Sequence, residues 1–292
     1  MTAQTFANAL IAGLSLGLVA MGFSMIYRTA QFFHVAHAAT YLVGAYTGIW
    51  LSNNTKVPIC LAALASIIVS GTLGLMIEVL VYRPLRKLHS SSPILFLASL
   101  ALLLIIQNVV GLTLGSEIQT VQSRVGQNSV HILGSMVTHW QAISIGVTIL
   151  LFIVTWSLLR FTVMGKKMRA IATNPDLAEA VGISCDHVLL FVILLGSALA
   201  GIAGFLAGYD TAITPTSGFG ILLIGVTAAV AGGIGSISGA ILGGILVGIV
   251  QHFAIWKLPA QWQDAIVFLI LIAFLMLRPQ GFFGSPIWRT KV

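Results

Sequence analysis

Long apolar runs alternate with short polar breaks along the whole chain, and the period of this alternation predicts helices long enough to cross a bilayer. A spanning helix needs about 20 apolar residues. Nine segments meet or approach that length: residues 5–27, 33–52, 58–81, 93–115, 141–160, 188–209, 218–233, 237–255 and 263–277. The seventh is short and rich in glycine, so it reads as either a span or a re-entrant segment. Between them lie a short basic turn at 82–92, a polar loop at 116–140 and a longer polar loop at 161–187. The predicted fold is all-α: one polytopic transmembrane helical bundle of eight to nine spans over residues 1–292.

Composition agrees. Of 292 residues, 58% are hydrophobic and 7% charged, against roughly 25% charged in a soluble domain. Fourteen basic and seven acidic side chains are too few to cover a soluble surface of this size, which excludes a soluble enzyme. No Lys or Arg precedes Arg28, so the first run lacks the basic start of a secretory signal peptide and reads as a retained helix. Cys60 and Cys185 are too far apart to suggest a disulfide framework or a metal site.

The net charge of +7 is scattered between apolar runs, which points to membrane-face loops and not to nucleic acid. With nine spans and the N-terminus outside, Arg28, Arg83, Arg86, Lys87, Arg160, Lys166, Lys167, Arg169, Arg278, Arg289 and Lys291 fall inside, and only Lys56, Arg124 and Lys257 outside. Eleven against three satisfies the positive-inside rule. With eight spans the count falls to nine against five, so nine is preferred and the C-terminus is expected inside.

The 161–187 loop contains helix signals. Asn174 is a good N-cap, Pro175 suits the first helical position, Asp176 and Glu179 place negative charge near the positive helix end, and Gly182 suits a left-handed stop. These predict a helix over 175–181, about 10 Å long. A helix that short is unstable alone in water and must pack on its own spans or on another protein.

This stretch resembles the cytoplasmic loop of the branched-chain amino acid ABC permease (Liv-type) family, whose wider fold is shared with ribose-type permeases. The matching residues are Arg169-Ala170, Asn174, Ala178 and Gly182-Ile183. Tyr82-Arg83-Pro84-Leu85-Arg86 resembles the family's turn after its third span, and the proline there is expected to interrupt the helix. The run from Gly232 to Gly244 resembles the family's glycine-rich signature, and Arg278-Pro279-Gln280-Gly281-Phe282-Phe283-Gly284 its C-terminal ending. Phe33-His34-Val35-Ala36-His37-Ala38-Ala39 falls where the family commonly has Asn-x-Ala-His-Gly; His37 keeps its place, while His34 and Ala38 depart from the pattern.

The resemblance implies a permease subunit of an ABC importer for a small polar solute. Branched-chain amino acids are the family default, urea or short amides the alternative, and sugars are handled by more distant relatives. A stand-alone carrier or channel and a non-transporting assembly or receptor subunit are the competing classes. The implied partners are a second permease subunit, two cytoplasmic ATP-binding subunits, a solute-binding protein at the outer face and membrane lipid. Arg169, Ala170, Asn174, Pro175, Ala178, Glu179, Gly182 and Ile183 would contact the ATPase. No Gly-x-x-x-x-Gly-Lys-Ser/Thr pattern occurs, so ATP is expected on partner subunits and no cofactor on this chain.

Candidate path residues are the polar or backbone-exposing groups expected inside the spans. They are His34, His37, Gln107, Asn108, and the Gly232, Gly233, Gly235 and Ser236 break, which is read as a broken helix near mid-membrane. The Gly235, Gly239 and Gly243 stripe is read as helix packing. His34 and His37, read as one helix face, lack a third ligand nearby, so no metal site is expected. Glu78 is expected to pair with Arg83 or Arg86, and Asp210 and Asp264 to lie solvated at outer helix ends.

Overall fold

A computed structural model describes residues 2–121, 129–132, 134–257, 259–278 and 280–283. Arg124, Pro279, Gly284, Arg289 and Lys291, each read above, lie outside the described residues.

Each apolar run forms a helix. The long elements are α1 (Thr2–Ala30), α2 (His37–Asn54), α3 (Ile59–Ile77), α5 (Ser92–Leu114), α6 (His139–Phe161), α9 (Cys185–Asp210), α10 (Ser217–Gly232), α11 (Ile237–Lys257) and α12 (Gln263–Leu277). The α4 (Arg83–Lys87), α7 (Val163–Thr173) and α8 (Pro175–Ala180) helices are short. Six helices among the described residues are long and apolar enough to span a membrane: α1, α3 continued through α4, α5, α6, α9 and α11. The seventh and ninth predicted spans, α10 and α12, have 16 and 15 residues. At 1.5 Å per residue they reach about 24 Å, short of a core about 30 Å thick. The polar loop also folds a hairpin, β1 (Ser129–Ile132) with β2 (Ser135–Thr138), antiparallel with Val130 opposite Val137. Gln4 on α1 clamps it, accepting from Met136 N at 2.6 Å and donating to Met136 O at 2.9 Å.

The bundle has a tight centre and a loose rim. In α1 and α9, 72% of the most apolar window is buried, against 22–28% in α3, α5 and α6. Glycine explains the tight centre, because hydrocarbon supplies no hydrophobic drive between helices and close backbone approach must do the work. A Cβ on Gly44 of α2 would sit 2.3 Å from Gly201 O of α9, and one on Gly244 of α11 2.6 Å from Gly13 O of α1. The expected stripe packs likewise: Gly239 abuts Gly232 O and Gly243 abuts Ala228 O, both on α10.

Two expectations need correction. Pro84 does not interrupt the third span. The chain widens into a π turn at Glu78–Tyr82, so Arg83 N donates to Glu78 O and the helix runs on through Lys87. The wider turn relieves the clash between a proline ring and the carbonyl four residues back.

Nor is the deep break at 233–236. Gly235 and Ser236 lie beside Arg28, at the end of the bundle that carries α7. The deep break is residues 31–36, where the chain leaves α1 and runs back among the helices before α2 begins. His34 therefore precedes the helix that His37 starts, and the two do not share a helix face. Ala36 N donates to Ser99 Oγ at 2.8 Å, the kind of partner that irregular backbone needs at this depth.

Candidate functional site

The helix ends sort the charges. Arg28, Arg83, Arg86, Lys87, Arg160, Lys166, Lys167, Arg169 and Arg278 gather at one end, the basic end, while Lys56 lies at the other. Glu78, fully buried, pairs with Arg86 (one of the two partners read from sequence), while the other, Arg83, turns its Nε to Asp186 Oδ2 at 2.8 Å. These ion pairs tie α4 to the third span and to the start of α9.

From this end projects α8. Asn174 Oδ1 accepts from Leu177 N at 3.0 Å, and Pro175 opens the helix. Gly182 takes φ +84°, its N–H bonds Glu179 O at 2.9 Å, and Ile183 N bonds Ala178 O at 2.9 Å. That is a glycine stop satisfying otherwise orphan carbonyls. Ala178 is buried and anchors the helix; Asn174, Pro175, Glu179 and Gly182 are exposed, while Ala170 and Ile183 are half-buried. The structure adds Leu177 and Val181, 61% and 69% exposed. They lie four apart on one face, an apolar tip in an otherwise polar loop, and that spacing was the available signal. Arg169 points elsewhere: its Nη1 donates to Leu159 O at 2.5 Å.

At the opposite end opens a cavity of about 440 Å³ between α1, α2, α6, α9, α10 and α11. Asn8, Ser15, Gln141, Asp210, Gln251 and His252 supply its polar lining, and Ile11, Leu16, Val19, Leu206, Ile221 and Ile224 its apolar wall. Thr138 and Gln141 form a capping box at the start of α6, and Gln141 Nε2 donates to Asp210 Oδ1 at 3.2 Å. Asp210, read from sequence as simply solvated, thus faces this cavity. His252 Nδ1 donates to Gly248 O at 3.0 Å.

None of the path residues read from sequence lines this cavity. His34 and His37 are fully buried. His34 Nδ1 is 2.9 Å from Tyr82 Oη, and His37 Nε2 is 3.2 Å from the carbonyl of Val19, a residue that also lines the cavity. Their other ring nitrogens have no partner among the described residues. Asn108 is exposed on α5, where it turns back onto Leu104 O at 2.7 Å; Gln107 beside it is half-buried. Gly232 and Gly233 end α10, whose carbonyls Ala231 O and Gly232 O accept from Phe282 N at 3.0 Å and Phe283 N at 2.9 Å. The C-terminal motif thus caps α10. Among the described residues no group of three His, Cys, Asp or Glu side chains is placed to hold a metal ion.

A glycine-seamed helical bundle, with an amphipathic cavity at one end and a projecting helix at the other, has the build of a multi-pass membrane permease. The chain belongs to the family described as branched-chain amino acid transport system, permease component, whose profile matches residues 5–275. It is 30% identical to the high-affinity branched-chain amino acid transport system permease protein LivH of Salmonella typhimurium, over 97% of this chain and 96% of that one. It is also 30% identical to BraD of Pseudomonas aeruginosa, which carries the same description, with the same coverage. Among solved structures, PsaBC from Streptococcus pneumoniae in complex with Fab matches with a TM-score of 0.52 at 16% identity, over 94% of this chain and 92% of that one. The likeness is one of fold.

Proposed function

We propose that this chain is the membrane subunit of an ABC importer that carries branched-chain amino acids, driven by separate ATPase subunits docked on α8. The observation that carries the reading is α8 itself: a capped two-turn helix, anchored through Ala178, that presents Leu177 and Val181 to whatever lies beyond the basic end. Such a helix needs a partner to bury that tip. With no P-loop in the chain, the energy would come from that partner. The basic end would face the cytoplasm, placing the N-terminus outside and the C-terminus inside.

The opposite cavity would receive the solute from a binding protein. Its lining suits a zwitterion with an aliphatic side chain: Asp210 for the α-ammonium, the amides of Asn8 and Gln141 for the carboxylate, and the Ile11 and Ile221 wall for the side chain. Below it, Val19 and His37 would close the path until the ATPases move α8 and a second permease subunit completes the channel. The test is uptake of labelled leucine in cells lacking the native chain. Complementation by wild type and its loss with Leu177→Asp, at unchanged membrane abundance, supports the reading. Undiminished uptake by Leu177→Asp would overturn it.

A further inference from the structure

A second cavity, of about 290 Å³, lies at the basic end. Arg28, Arg160 and Arg169 line it together with Ser236, Ser238 and Trp156. Three guanidinium groups around one small space repel each other unless an anion joins them. The chain does not supply one from its side chains. All seven Asp and Glu residues are among those described, and none lines this cavity. The two ion pairs among the described residues use Arg83 and Arg86.

Two of the arginines are also held in place. Arg28 Nη1 donates to Gly235 O at 2.6 Å and Arg169 Nη1 to Leu159 O at 2.5 Å. Each guanidinium has five N–H donors, so among the described residues most are left without a partner, and their planar fork suits phosphate oxygens. Gly235 makes the arrangement fit. Its φ is +86°, and a Cβ there would lie 2.6 Å from Arg28 Cδ. The positive N-terminus of α11 faces the same space, with Ser236 Oγ accepting from Gly239 N at 3.1 Å.

We propose that this cavity binds the phosphate of an anionic phospholipid headgroup. Trp156 and Arg160 point to the bilayer as the source. Ile149, Ile153 and Trp156 are 44%, 58% and 46% exposed. With Arg160 they recur at four-, three- and four-residue spacing, so they form one stripe down α6. An acyl chain lying along that stripe ends with its phosphate at Arg160. A tryptophan at the polar edge of such a stripe matches the interfacial belt, and basic pockets between spans at the cytoplasmic side suit anionic headgroups. The cavity is not a continuation of the solute cavity. Arg28 is nine residues from Val19, two and a half helical turns, and so faces the opposite side of α1.

The test is native mass spectrometry of the detergent-purified chain with phosphatidylglycerol or phosphatidylcholine, alongside thermal unfolding in the presence of millimolar inorganic phosphate. Wild type retains phosphatidylglycerol over phosphatidylcholine. Arg160→Gln and Arg169→Gln each weaken that preference by about fivefold, and Arg160→Lys keeps most of it. Inorganic phosphate alone gives no comparable thermal shift. The proposal fails if wild type does not discriminate between the lipids or if the Gln variants discriminate as well as wild type. It fails equally if inorganic phosphate stabilises as strongly as phosphatidylglycerol, which would make this a soluble-anion site. Displacement of the lipid by added ATPase subunits would overturn it too, assigning the arginines to a protein carboxylate.

Discussion

The two ends of this bundle are built from different chemistry. At the basic end, charged groups are locked into structure: Glu78 to Arg86, Arg83 to Asp186, Arg28 and Arg169 to backbone carbonyls. At the opposite end, amides, hydroxyls, an imidazole and one carboxylate line an open cavity, and among the described residues Asp210 is held by Gln141. The first arrangement would suit transmitting a push, because ion pairs and a capped helix resist deformation. The second would suit a guest, because polar groups on separate helices can re-pair with it at small cost. An importer needs both, with the mechanical end and the receiving end on opposite faces of the membrane.

Substitutions should separate the two ends sharply. The largest effect is expected from Arg86→Met, which leaves the buried Glu78 carboxyl without its ion-pair partner. Unfolding in detergent should show a loss of about 3–5 kcal/mol, and pairing it with Glu78→Gln should restore most of that. Next comes Leu177→Asp, on an exposed side chain. Its stability should change by less than about 0.5 kcal/mol, while leucine uptake falls by at least about tenfold, the equivalent of losing roughly 1.4 kcal/mol of docking energy. At the receiving end, Asp210→Asn should raise the half-saturating leucine concentration by about fivefold, the weight of one exposed ion pair, with ATPase docking unchanged. The smallest effect belongs to Gly146→Ala on α6, where an added Cβ meets nothing within 4 Å. It should stabilise the helix by about 0.5–1 kcal/mol without altering transport. If Asp210→Asn abolished ATPase docking, or Leu177→Asp altered only the apparent affinity for leucine, the division between the ends would be wrong.

How much of this was legible beforehand differs by element. Hydropathy located every long helix, and Asn174, Pro175 and Gly182 marked α8 because caps are local chemistry. Depth was not legible. The glycine break at 233–236 and the turn at 31–36 both interrupt apolar sequence, and only packing shows that the second is the deep one. The π turn before Pro84 leaves no composition signal, so the proline looked like a stop. Gln107 and Asn108 looked like path residues because they sit mid-span, but whether a span faces protein or lipid depends on its neighbours, and α5 is a rim helix. Conversely, Asn8, Gln141, Asp210 and His252 come from four helices and meet only in the fold. The arginine cavity was hidden for the same reason: Arg28, Arg160 and Arg169 each read as a membrane-face charge until the structure brought them together.

The central claim is that α8 is the docking point for a cytoplasmic motor, and cysteine cross-linking tests it most directly. In a Cys60→Ser, Cys185→Ser background, Leu177→Cys would be compared with Ile118→Cys, which is 65% exposed at the opposite end. Membranes would be treated with a short bifunctional thiol reagent and the adducts identified by mass. The account predicts an adduct between Leu177→Cys and a cytoplasmic ATP-binding subunit, and none to that subunit from Ile118→Cys. An ATPase adduct at Ile118→Cys, or none at Leu177→Cys with the ATPase present in the same membranes, would contradict it.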